Sequence, residues 1–315
     1  VVQNKDARSG KYEPFVTAPR PSHGDFTYSA KFGTRNWGGG GRSSARETVN
    51  WVAAGAVAKQ VIEQSDYDIE VKAHVNQIGD VKAPEVTFDD LREHAEENDV
   101  RCAHPETAAE MQELIEEYQT EGDSIGGSIY FEAQGVPRGL GAPRFDSVSA
   151  RLGQALMSVP AATAFEFGLG REAREWTGHD RNENWEFDES ESEDPSGDEP
   201  RARGDPRPVG NKHGGIQGGI TTGEPVYGEL TLHAPTSIPK KQRTVDWETG
   251  EEKEIQVVGR HDPVLPPRGV PVVEAMLYVT ILDFMLLGGR INPDRLDGQA
   301  GEYDTPYHPS SPDNE

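Results

Sequence analysis

Residues 270–289, VPVVEAMLYVTILDFMLLGG, constrain the fold more than any other stretch. A helix apolar on nearly every side must be enclosed by other elements. Glu274 and Asp283 interrupt the run, which marks it as the core helix of a folded domain and not as a membrane span. With 315 residues, the chain has enough surface to enclose such a helix. Around it, the spacing of apolar residues predicts helices over 45–64, 87–99, 105–123 and 145–158. Ser43 or Ser44 is the expected cap of the first, with Glu47 completing a capping box, and Pro105 stands in the first turn of the third. Strands are predicted over 68–79, 126–136, 162–168, 224–234 and 251–259. Helices and strands mix without a βαβ rhythm, so the expected class is α+β with layered sheets and helices, not a doubly wound sheet. One domain is expected over 1–292, opening with a loop-rich segment over 1–42. Residues 183–208, nearly devoid of apolar side chains, read as a mobile acidic loop, and 293–315 as a disordered acidic tail.

Charge narrows the partners. Thirty-one basic against 55 acidic residues leave a net −24, a surface that repels nucleic acid and anionic membranes. Neither is expected as a partner. The acidic excess is diffuse and only 10 of the basic residues are lysine, which suits a protein that stays soluble in a salt-rich cytoplasm. Cys102 stands alone, so no intrachain disulfide and no cysteine-based metal centre is available, and no pattern suggests another metal site. No signal peptide is recognised at the start. The opening VVQNKDARSGKYEPF carries no cap or turn signal and reads as a sequence whose beginning lies upstream.

Four stretches carry chemistry that packing alone does not require. APRPSHGDFTYSAKFG (18–33) places Arg20, His23 and Asp25 together. A histidine beside a bound anion can donate a proton near neutral pH. NWGGGGRSSARETVNW (36–51) combines four glycines, two serines and Arg42 and Arg46 at the start of a helix, a backbone and charge pattern that suits an anion. It is not a P-loop, because no lysine follows the glycines. The third is NKHGGIQGGITTGEPV (211–226), with two glycine pairs, and the fourth GRHDPVLPPRGVPVVEAM (259–276), with Arg260, His261, Asp262 and Arg268. Together they describe a site for a substrate bearing several negative charges and for a phosphate-bearing cofactor.

These stretches resemble the chorismate synthase family. RPSHGDFTYSAKFGTRNWGGGGRSSARETVNWVAAGAVAK is similar to its signature block, and DVRCAHPETAAEM, EGDSIGGSIYFEAQGVPRGLGAPRFD, MSVPAATAFEFGLG, NKHGGIQGGITTGEPV, APTSIPKKQRTVD and GRHDPVLPPRGVPVVEAM follow in order. The resemblance covers residues 1–290 and suggests a salt-adapted, haloarchaeal-type member. It implies a helical core between antiparallel sheets, a homotetramer, and an anti-1,4 elimination of phosphate from 5-enolpyruvylshikimate 3-phosphate. Reduced FMN is the implied cofactor, supplied by an external flavin reductase, with NADPH entering only as an indirect reductant. By position, His23 corresponds to a proton donor to the reduced flavin and Asp262 to a carboxylate near flavin N5. Arg20, Arg46 and Arg260 correspond to substrate clamps. Arg42, Ser43, Ser44, Pro160, Ala161, Gly218, Ala234, Pro235, Thr236, Ser237 and Ile238 correspond to flavin-contacting positions, and Arg260 belongs to both sets.

Three departures accompany the resemblance. The usual K-P-T-S-S-I is replaced by APTSIP, without its lysine, for which His233 or Lys240 is a substitute. Pro160 stands where asparagine is common, which implies a backbone contact. The N-terminal G-E-S-H-G block, with a second catalytic histidine, is not among these 315 residues. On that basis little turnover is expected of these residues alone, and the alternative reading is an impaired fragment that binds flavin or associates with family members.

Overall fold

The structure, a computed structural model, describes residue 2 and residues 9–187, 206–257 and 261–291. Arg260, most of the expected acidic loop and the expected tail lie outside the described residues. After a 3-10 turn at Ser9–Phe15, the chain forms α1 (Asp25–Phe32), α2 (Thr48–Glu63), β1 (Glu70–Ile78), β2 (Val81–Lys82), α3 (Phe88–His94) and α4 (Pro105–Glu121). Next come β3 (Gly127–Gln134), α5 (Val148–Met157), β4 (Ala162–Phe167), the single turn α6 (Gly178–Arg181) and β5 (Trp185–Phe187). The described chain continues with β6 (Pro206–Pro208), β7 (Ile216–Gln217), β8 (Ile220–Thr221), β9 (Val226–Leu232), β10 (Lys241–Val245), β11 (Glu252–Gln256) and α7 (Pro266–Leu287).

Five strands pair in the order β2-β1-β3-β9-β4, all antiparallel, and β10 pairs with β11 as a separate hairpin. The expected α+β class is what forms. Alternation places Val71, Ala73, Val75, Ile129, Phe131, Ala133, Leu230 and Leu232 in the core, and α7 packs across β1 and β3. Val270, Val273, Leu277, Ile281 and Met285 of α7 are buried in that core. Each large side chain so buried stabilises by about 1.5–3 kcal/mol relative to exposure. By length and hydropathy α7 could cross a membrane, but it is packed between the sheet, α2 and α5 as the sequence predicts.

The two acidic residues inside α7 have structural partners. Asp283 pairs with Arg151 of α5 at 2.5 Å. Glu274 accepts the Ala73 amide at 2.9 Å, and the Tyr278 hydroxyl one turn on accepts the Val71 amide at 3.1 Å. The Val75 amide reaches the Arg101 carbonyl at 2.8 Å. β2 pairs with β1 only at Gln77 and Ile78, so these acceptors satisfy the edge that β2 leaves uncovered. On the opposite face, α3 covers β1 through Phe88 and Leu91, and His74 beneath it is 1% exposed.

Three local differences from the sequence reading have physical causes. The helix expected from residue 45 begins at Thr48, because Ser44 is extended and starts a 3-10 turn over Ala45–Glu47. Its side chain therefore caps the Arg46 amide and makes no capping box with Glu47. α1 forms inside the segment expected to be loop, with Asp25 in its first turn, Lys31 in its last and left-handed Gly33 after it. β10 gives no apolar alternation, since all its pairing is to β11 and its side chains are largely exposed.

Candidate functional site

A cavity of about 840 Å³ opens between the segment 12–46, the loop that follows β9, and residues 257–268 leading into α7. Arg20, His23, Ser43, Ser44, Arg46, Pro160, Ala161, Pro235, Thr236, Ser237 and Asp262 all line it. Residues as far apart in sequence as 20 and 262 thus meet at one place. Arg42, Ala234 and Ile238 do not line it, and Gly218 lies on a different, smaller cavity with His213, Gln217 and Gly219. Of the two substitutes for the missing lysine, His233 lines the main cavity while Lys240 is paired with Asp123 at 2.5 Å.

The glycine run builds one wall. Gly39, Gly40 and Gly41 take φ values of 149°, 84° and 51°, a left-handed succession that side-chain-bearing residues resist. This turn brings the backbone of Gly39 and Gly40 to the cavity and holds Ser43, whose Oγ donates to the Gly40 carbonyl at 2.6 Å. Ser22, next to His23, and Ala161 also adopt positive φ, at 57° and 71°. Non-glycine residues in that region cluster at functional sites, where surrounding structure holds them.

His23 joins two walls. Its Nδ1 lies 2.8 Å from the Pro21 carbonyl, which can only accept, so Nδ1 carries the hydrogen. Its Nε2 lies 2.7 Å from Ser237 Oγ in the loop after β9. Burial pushes His23 below the ordinary histidine value; the Pro21 contact opposes this and the Arg20 charge reinforces it. Asp262 is paired with Arg268 in the first turns of α7 at 2.7 Å, and His261 donates from Nε2 to the Val257 carbonyl at 3.0 Å.

Arg20 is held on its aromatic side by two rings. Its guanidinium stands 5.8 Å from the ring centres of both Tyr12 and Phe15, which also line the cavity. Those two aromatics were absent from the sequence reading of the site. The only signal for them is a Tyr-x-x-Phe spacing in a segment otherwise read as loop. Phe15 belongs to a small core with Ala18, Ile255 and Val257, so the N-terminal segment and β11 together support the wall. Among the described residues, no group of three or more histidine, cysteine or carboxylate side chains is arranged to hold a metal.

Comparison with known proteins bears on what this cavity is for. The family model described as chorismate synthase matches residues 1–286. The chorismate synthase of Halomicrobium mukohataei is 76% identical over 318 residues, covering 100% of this chain and 77% of that protein. That of Halorubrum lacusprofundi is 76% identical over 315 residues, covering 100% of this chain and 79% of the relative. The Methanosarcina mazei chorismate synthase is 43% identical over 298 residues, or 95% of this chain and 77% of its own length. A crystal structure of chorismate synthase superposes with a TM-score of 0.65 at 26% identity, covering 84% of this chain and 70% of that one. With the family model matched over nearly the whole chain and haloarchaeal relatives about three-quarters identical, the chain belongs to the chorismate synthase family, as a member of the haloarchaeal type.

Proposed function

We propose that the cavity performs the family reaction, the anti-1,4 elimination of phosphate from 5-enolpyruvylshikimate 3-phosphate to give chorismate, with reduced FMN as cofactor. The observation that carries this reading is the convergence of Arg20, His23, Arg46 and Asp262 on one cavity. The residues present fit a phosphate-bearing flavin: a left-handed glycine turn leaves its backbone open, and Ser43, Ser44, Thr236 and Ser237 present hydroxyls. Reduced FMN, when bound, supplies electron density that helps phosphate depart from carbon.

The chain's own residues bind and move protons. Arg20 and Arg46 hold the carboxylates and phosphate of the substrate, planar donors matched to such anions. Asp262 assists removal of the ring proton, its carboxylate oriented by the pairing with Arg268. His23 exchanges a proton at Nε2, the nitrogen that faces Ser237 Oγ. Tyr12, Phe15, Val257 and Leu265 supply the apolar part of the wall and limit water around the charges. In this reading the protein works in the cytoplasm as a homotetramer, receives flavin reduced by an external reductase, and uses NADPH only through that reductase.

The test is anaerobic turnover in molar potassium chloride with chemically reduced FMN. It is run on the 315-residue chain and on the chain extended by the further residues that its longer relatives carry. Chorismate and phosphate released in equal amounts are expected, with full rate in the extended form. Flavin binding with no chorismate from either form would replace this reading with the flavin-binding alternative.

A further inference from the structure

We infer that Asp25 is a positioning residue of the anion site, fixing the guanidinium plane of Arg20 through a buried carboxylate shared with Arg35. The inference rests on the proposed role of Arg20 as a substrate clamp. Asp25 is 4% exposed at the start of α1 and accepts four hydrogen bonds. Its Oδ2 takes the Arg20 amide at 3.0 Å and Arg20 Nε at 2.9 Å, and its Oδ1 takes Arg20 Nη2 at 3.0 Å. Arg35 Nη1 reaches Oδ1 at 3.3 Å. Arg20 thereby commits Nε and one edge of Nη2, while Nη1 donates to none of the described residues and the side chain lines the cavity. A two-point fork of this kind fixes a plane, which a single contact does not.

Charge explains why two arginines share one carboxylate. Arg20 with Asp25 alone is a neutral pair, a weak attractor for an anion. Arg35 restores a net positive charge from behind the cavity wall, without itself lining the cavity. It is held there by the Phe15 carbonyl, by the Val16 carbonyl at 3.2 Å and by the Trp247 ring at 5.1 Å. Asp25 therefore holds the clamp in place, and Arg35 keeps that clamp cationic.

The test compares wild type, Asp25→Asn, Arg20→Lys and the double variant. With the phosphorylated substrate, Asp25→Asn is expected to raise KM by about 10–100-fold, the loss typical of a charge-assisted contact, while kcat at saturation and flavin affinity hold within a few-fold. In the Arg20→Lys background, which has already lost the fork, the same change is expected to add little. A structural role alone would lower thermal stability and affect both backgrounds equally, and that result overturns the inference. Nitrogen-15 NMR of the Arg20 Nε–H gives a readout independent of turnover: solvent exchange is slow in wild type and fast in Asp25→Asn. Equal exchange in the two proteins also overturns it, whereas absence of chorismate with the NMR difference intact overturns only the proposed reaction.

Discussion

His23 shows how one side chain is tuned by its neighbours. Enclosure in the cavity wall and the Arg20 charge both disfavour the imidazolium, and the Pro21 carbonyl only partly restores it. Its titration, followed by NMR of the ring, is therefore expected to fall below that of a free histidine. Replacing Arg20 with methionine removes a positive neighbour and should move the midpoint upward. An unchanged or lower midpoint would show that the Arg20 charge does not reach the ring. The residue types at this site were legible in the sequence, because Arg, His and Asp beside glycine-rich turns have few packing uses. Their partners were not: the His23–Ser237 contact spans 214 residues, and no local pattern announces it.

At the scale of elements, α7 decides both packing and pH response. Its Glu274 is pushed up to about 7 by burial, against the Ala73 amide bond that favours the ionised form. A carboxyl with a raised folded value contributes stability that is fullest below its unfolded value of 4.5 and is lost as pH rises toward 7. His74, beneath α3, is lowered to about 4 by burial, so its contribution has the opposite slope and is lost as pH falls from 6.5 toward 4. The two slopes overlap and oppose each other between about pH 4.5 and 6.5. Glu274→Gln should unmask the His74 slope, giving a melting temperature that climbs steadily from pH 4.5 to 6.5, where the wild type stays flatter. A parallel pair of curves would rule out Glu274 as the opposing group. The α2–α7 contact makes a second prediction. A Cβ on Gly55 would lie 2.4 Å from the Ala275 Cβ and 2.5 Å from its Cα, atoms that cannot swing aside. Gly55→Ala gains about 1 kcal/mol in helix propensity but incurs overpacking of typically ~1–3 kcal/mol. A net loss of stability is expected, seen as a melting point lowered by a few degrees. A rise would mean the helices separate at little cost.

At the scale of the whole molecule, the net charge of −24 sets how the fold responds to salt. The Debye length shrinks from about 10 Å at 0.1 M to about 3 Å at 1 M, which silences repulsion among surface carboxylates. The melting temperature is expected to rise markedly between 0.1 and 2 M potassium chloride, and a flat or falling curve would count against salt adaptation. The sequence by itself determined the class of elements, the enclosed helix, the charge character and the kinds of side chain at the site. Each of these depends on spacing or composition over a few residues: the apolar run of α7, the alternation of β1, β3 and β9, and the glycines at 38–41. Tertiary structure alone decided that α7 caps the edge of β1 and that Gly218 lies on a separate cavity. It also decided that Tyr12 and Phe15 form a wall and that Asp25 holds Arg20. Those outcomes follow from which distant segments pack together, a choice made by the burial of the whole core and not by any window of the chain.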